Sequence, residues 1–192
     1  MSDFLNPAEI LGKIKLRNDM VAVDFGCGSG GWVLPLAKIL EKSPSDSKQG
    51  RIYAIDVLEE PLSALKSSVE FQKISNITIV RSNVEDKNGA KIQDGVADLV
   101  LMTNLLFQVD SIKDVLEEGK RVLKKKGIIL IVDFGVPKNL FTKVFTYFLS
   151  FLEDVGLNRK NFIFNVLKET DFRDVKEVGS KFGIFSVYLG KK

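Results

Sequence analysis

Short apolar runs alternate with amphipathic stretches along most of the chain. Val21–Phe25, Arg51–Ile55, Ile77–Arg81, Ala97–Thr103 and Gly127–Phe134 are rich in Val, Ile and Leu and read as strands. Between them, apolar residues recur at helical spacing. Val33, Leu36, Ala37 and Leu40 share one face of a helix predicted over Trp32–Glu41, with Pro35 tolerated in its first turn. Leu62, Leu65 and Val69 do the same for Pro61–Lys73, and Ile112, Val115, Leu116, Val122 and Leu123 for Ser111–Lys124. A short helix is expected over Pro7–Lys15, with Asn6 at the N-cap and Pro7 at the first helical position. Lys42–Gly50 and Asp86–Gly95 are polar and read as irregular.

Strands alternating with helices at this spacing imply a parallel sheet covered on both faces. The tail breaks that rhythm. Phe172–Val178 and Gly183–Leu189 are strand-like runs joined by a turn, Gly179–Phe182, too short for a parallel crossover, so they should form an antiparallel hairpin at one sheet edge. Nothing marks a boundary or a repeat, so residues 1–192 are expected to form a single domain. Within it, Val136–Phe164 is unusually rich in phenylalanine. Phe141, Phe145, Phe148 and Leu152 fall on one helical face, widened by Val144 and Leu149. Core packing is the plain reading of this helical insertion. The sharper ones are an apolar lid for a hydrophobic substrate, or a face that docks on a membrane surface or a second subunit.

Composition narrows the chemistry. Lys and Arg number 28 and Asp and Glu 25, a net charge of +3 that argues against nucleic acid as the partner. Lys124–Lys126 reads as a solvated turn rather than a phosphate contact. Histidine is absent and Cys27 is the single cysteine, so no His-based triad, no Cys-His pair, no intramolecular disulfide and no multi-cysteine metal site is available. No metal is expected. The N-terminus lacks the basic start and apolar core of a signal peptide, and no run of about 18 apolar residues occurs. A cytoplasmic protein fits best.

The candidate chemistry sits in Val21–Gly31. A glycine-rich turn leaving the first strand lets a ligand approach the backbone, and the next helix should aim its first N–H groups at it. Gly26, Gly28 and Gly31 satisfy the dinucleotide pattern G-x-G-x-x-G, while Gly26, Gly28 and Gly30 satisfy G-x-G-x-G. Asp24 lies two residues before Gly26. Its charge would repel a diphosphate and suit a cation. Asp56 ends the second strand, where an acid can grip a ribose diol. Asp56 alone would serve NAD equally well; the pair of acids is the more telling feature.

Asp24–Gly30 resembles motif I of class I S-adenosylmethionine-dependent methyltransferases, and Asp56 matches the ribose-binding acid of that family. Ser82-Asn83-Val84-Glu85-Asp86 is similar to its adenine-contacting segment, with Asn83 in place of the usual Asp. Ala97–Asn104 is similar to motif IV. Arg121–Gly127 resembles the family's Arg-Val-Leu-Lys-Pro-Gly-Gly turn, except that Lys125 and Lys126 replace Pro and Gly. The likeness is to the small-molecule, quinone-biosynthesis-like branch. It implies a Rossmann-like three-layer α/β sandwich around a seven-stranded, mostly parallel sheet of order 3-2-1-4-5-7-6, with strand 7 antiparallel.

The resemblance implies S-adenosylmethionine as cofactor and a small-molecule acceptor that the sequence does not identify. Asp24, Gly26, Gly28 and Gly30 would hold its methionyl end, Asp56 the ribose, and Asn83 and Val84 the adenine, with Asn104 beside the methyl group and Cys27 and Val57 also counted as cofactor-binding. Cys27 reads as a small filler of the turn, since no base partner exists. Trp32 reads as packing. Asn104 and Asp133 are the weak candidates for catalysis, at the ends of the fourth and fifth strands. An NAD-dependent oxidoreductase and a non-catalytic cofactor-binding partner subunit remain as alternatives.

Overall fold

The computed structural model describes residues 6–41, 49–134, 159–181 and 185–192. The elements run α1 (Pro7–Leu11), β1 (Val21–Phe25), α2 (Val33–Ile39), β2 (Arg51–Asp56), α3 (Glu59–Phe71), β3 (Ile77–Arg81), β4 (Ala97–Thr103), α4 (Ile112–Val122), β5 (Leu123–Phe134), α5 (Arg159–Glu169), β6 (Arg173–Lys181) and β7 (Phe185–Lys191). The strands form one seven-stranded sheet of order β3-β2-β1-β4-β5-β7-β6. The first five are mutually parallel. β7 is antiparallel to both β5 and β6, as the short tail turn requires.

The period-two rule places the core on both faces. Val23, Phe25, Val100, Met102, Ile129 and Ile131 point to one cluster, closed by Val115, Leu116, Ile163 and Leu167 from α4 and α5. Ala22, Leu99, Leu101, Leu130 and Val132 point to the other, closed by α1, α2 and α3 through residues such as Leu11, Leu36 and Leu65. Sheet strands buried on both faces explain why their sequences are continuous apolar runs.

Helix ends differ from expectation for local reasons. α1 is capped as anticipated, Asn6 Oδ1 accepting from the N–H groups of Ala8 (3.0 Å) and Glu9 (3.4 Å), but it stops at Gly12 rather than Lys15. Ser111 caps α4, its hydroxyl accepting from Asp114 N–H. That helix ends at Val122, because Leu123 turns extended (φ −69°, ψ 137°) and pairs with Ala97. The next aligned pair is Leu99 with Ile128, so Lys124–Gly127 bulges out of the sheet before β5 resumes. α5 was not among the expected elements. Most of Lys42–Gly50, and the Phe141–Leu152 stripe, lie outside the described residues. Among the described residues no helix is long and apolar enough to cross a membrane.

Candidate functional site

The carboxyl ends of β1, β2 and β4 bring Asp24, the glycine turn, Asp56 and Asn104 to one rim of the sheet, at the point where strand order reverses. Asp24 is the fourth residue of β1, inside the strand, and is fully buried. Register sets it between Ala54 of β2 and Leu101 of β4. Neither of its carboxylate oxygens has a hydrogen-bond partner among the described residues. Burial first, and the Asp56 carboxylate second, push its pKa well above the usual range. A buried, unpartnered carboxyl group is costly to keep, and it is the arrangement a bound cation would relieve.

The glycine turn divides its labour. Gly26, Gly28 and Gly30 all have positive φ (72°, 52° and 91°). A Cβ at Gly30 would lie 2.4 Å from the Leu65 side chain, so this glycine lets α3 pack under the turn. A Cβ at Gly28 would meet nothing within 4 Å, so Gly28 is the point of the turn with open space beside it. The N–H groups are less available than the pattern suggested. Those of Gly26 and Cys27 donate to Ile55 O (2.8 and 2.9 Å), and that of Gly30 donates to Cys27 O (3.0 Å). Gly28 N–H donates to Asp56 Oδ2 (2.8 Å). The turn therefore offers shape and an adjacent carboxylate, with the N–H groups of Ser29 and Gly31 left without an acceptor among the described residues.

Asp56 is half-buried and braces two segments. Its Oδ2 takes Gly28 N–H and its Oδ1 takes Leu58 N–H (2.9 Å). Each oxygen retains a lone pair for a hydroxyl donor. Val57 and Leu58 beside it are exposed (54% and 60%). At the end of β3, Asn83 Oδ1 accepts from Glu85 N–H (3.1 Å), closing a local turn with its amide group still available. Val84 is buried among core residues rather than presented at the surface. Ser82, next to Asn83, holds a buried hydroxyl oxygen with no partner among the described residues. Reading the segment only for adenine contacts had passed over it.

Asn104 follows β4 in the left-handed region (φ 51°), its N–H donating to Val132 O (2.8 Å). It is exposed at the rim. Asp133 does not stand on an open rim as expected. It is fully buried, and its Oδ2 accepts from Leu106 N–H (3.0 Å), holding the loop after β4 in place. Cys27 is buried, and burial followed by Asp24 and Asp56 pushes its thiol pKa strongly up, so the thiol stays protonated and fills the turn. Trp32 is half-buried against the α1–α3 cluster, in the packing role foreseen for it. The loop after β4 adds Phe107, which is 41% exposed, and a cavity of about 450 Å³ bordered by Leu106, Phe107, Val109, Ile112 and Val166. Apart from Ile112, placed on the apolar face of α4, sequence reading missed these residues. Their signal was an apolar cluster, Leu105-Leu106-Phe107, where a polar loop would be expected.

Residues 16–161 match a family described as methyltransferase domain. Over 76 residues the chain is 34% identical to a probable cobalt-precorrin-6B C(15)-methyltransferase (decarboxylating) of Methanocaldococcus jannaschii, a match covering 40% of this chain and 37% of that protein. It is 26% identical over 116 residues to a demethylmenaquinone methyltransferase of Bacillus cereus, covering 60% of this chain and 45% of that one. The chain thus spans less than half the length of these curated relatives. In fold it is similar to a SAM-dependent methyltransferase from Aquifex aeolicus, with a TM-score of 0.76 and 20% identity over 98% of this chain and 90% of that one. It is also similar to a Haemonchus contortus phosphoethanolamine N-methyltransferase 2 in complex with S-adenosyl-L-methionine, with a TM-score of 0.74 and 14% identity, over 97% of this chain and 52% of that one.

Proposed function

The chain belongs to the methyltransferase-domain family, and from that premise we propose that it transfers a methyl group from S-adenosylmethionine to a small, hydrophobic acceptor. The observation that carries this reading is Asp24: a fully buried carboxyl group with no partner among the described residues, beneath a glycine turn with open space beside Gly28. When bound, S-adenosylmethionine supplies a methyl group already activated on a sulfonium. The residues present suit it. Asp24 would hold the ammonium end beside Gly28, and Asp56 the ribose hydroxyls through its remaining lone pairs. Asn83 and Ser82 offer polar groups to the adenine, with Val57 as an apolar wall.

The protein's part in such a reaction is to position the acceptor and exclude water. Exposed Val57, Leu58 and Phe107 border the rim and favour an apolar acceptor, in keeping with the quinone named in one relative. Asn104 is placed to orient a group there. Asp133 serves through Leu106, as a positioning residue of the loop after β4. A cytoplasmic setting belongs to the same reading, with Cys27 as an unpaired thiol.

A dinucleotide is the poorer occupant. A diphosphate needs several free N–H donors at the turn, and those of Gly26, Cys27, Gly28 and Gly30 are taken within the protein, which leaves Ser29 and Gly31 beside two carboxyl groups that disfavour added negative charge. Titration calorimetry with S-adenosylmethionine and with NAD tests the reading directly. Binding of the methyl donor, and release of S-adenosylhomocysteine with a panel of apolar acceptors, is the expected result. Tight NAD binding with no heat from the methyl donor would overturn it.

A further inference from the structure

The opposite end of the sheet carries a feature that methyl transfer leaves unused. An open groove of about 680 Å³ lies where the end of α4, the bulge near the start of β5, the start of β6 and the end of β7 meet. Its walls are Lys120, Lys125, Lys126, Arg173 and Lys192, with Asp171, over the largely buried Phe172. Counting side chains, five cations against one carboxylate leave the groove four positive, whereas the side chains of the whole chain sum to +3. The rest of the molecule is therefore slightly negative, and the basic excess is concentrated at this place.

That charge is not neutralised from within. Asp171 pairs with Lys120 (3.0 Å). The neighbouring acids are also engaged, Asp94 with Arg121 and Asp174 with Lys191. Lys125, Lys126 and Arg173 have no ion pair among the described residues. Lys192 is pinned by donating to Leu123 O (2.7 Å), and burial, then repulsion from Lys120, lower its pKa against the pull of Asp94.

The backbone adds an independent observation. Lys126 sits at φ 69°, in the left-handed region, where the resembled turn has glycine. A side chain there costs about 1 kcal/mol that glycine would not. Lys125 and Lys126 are this chain's two departures from that turn, and together they supply two of the groove's unpaired charges.

We propose that this groove binds a small anion carrying several clustered phosphates, at a site separate from the cofactor rim. Lysines act as point charges toward phosphate oxygens, and a concave site whose side chains carry four net positive charges matches a compact polyanion. An extended polyanion such as RNA would run onto Asp94, Asp171 and Asp174 at the edges.

Calorimetry on the full chain, with inorganic tripolyphosphate against sulfate at equal ionic strength, provides the test. Tripolyphosphate should bind about tenfold tighter or more, and more weakly as salt rises. The double variant Lys125→Gln/Lys126→Gly should lose that preference while keeping its affinity for S-adenosylmethionine. It should melt no lower than the parent, since glycine relieves residue 126. Equal affinity for the two anions, or an unchanged double variant, would overturn the site. So would tighter binding of a 20-nucleotide RNA or of anionic vesicles that responds to the same double variant.

Discussion

Asp24→Asn separates the chemistry of the site from its architecture. The substitution keeps shape and removes the ability to carry charge. In the parent, burial and then Asp56 raise the Asp24 pKa well above the usual range, so wherever the carboxyl group is still protonated an incoming ammonium must expel that proton. Donor affinity should then rise with pH, by up to about tenfold per unit, until Asp24 ionises unaided. The ligand's own α-amino group titrates near about 7.7–8.0, but it does so in both proteins and cancels in the comparison. Losing a charge-assisted hydrogen bond amounts to about 1.5–3 kcal/mol, or roughly 10- to 150-fold in affinity. Calorimetry in two buffers of different ionisation enthalpy reads the released proton directly. The parent should release more protons than the variant per S-adenosylmethionine bound. Matching proton release and affinities within a factor of about two would refute the assignment.

The same group makes a signed prediction for stability. Its folded pKa is raised, so the stabilising contribution is fully present below the unfolded value of about 3.9 and is lost as pH rises through the folded value. Within that window the parent should lose stability relative to Asp24→Asn, with a slope of up to about 1.4 kcal/mol per pH unit. Urea unfolding of both proteins across the window measures it. A constant difference would show that Asp24 titrates normally.

Two further substitutions probe neighbouring links. Asp56→Asn removes the second cause of the raised Asp24 pKa, so the pH dependence of donor binding should move to lower pH while affinity falls, read by calorimetry against pH. Glu118→Ala removes a buried carboxylate that takes Ala90 N–H (2.8 Å) and two Arg121 donors (2.8 and 2.7 Å). Arg121 keeps Asp94 and Ile92 O, so the loss should fall at the low end of the buried-pair range, about 3 kcal/mol by urea unfolding, with donor affinity unchanged.

Much of the fold is written in short-range pattern. The first five strands were legible because strands buried on both faces must be apolar throughout, and the tail hairpin because its connection is too short for anything else. α5 was not expected although Ile163, Val166 and Leu167 follow helical spacing, because the stronger stripe of Phe141, Phe145, Phe148 and Leu152 before it points to a different helix. The end of α4 was misplaced for a different reason. Nothing in Val122-Leu123-Lys124 announces that Leu123 will pair with Ala97. The site was legible as residue types, two acids and three glycines. Its inner wiring was not, since the use of Ile55 O and Asp56 by the turn depends on the register of β1 against β2. Asp133 shows the same limit: its position at the end of β5 was clear, but its burial depends on where Leu106 sits.

Asp24 violates the rule that buried polar groups find partners, and the violation has a direction. A carboxyl group between Ala54 and Leu101 gains nothing for the folded chain. An apolar residue there would suit the sheet better. A partner arriving from outside would relieve the buried carboxyl group, and a cation is favoured because it would stabilise the ionised carboxylate against burial and Asp56. The glycine pattern leaves the ligand's charge open, because G-x-G serves diphosphates and sulfonium nucleosides alike. The buried acid beneath it, without a partner among the described residues, favours a cation.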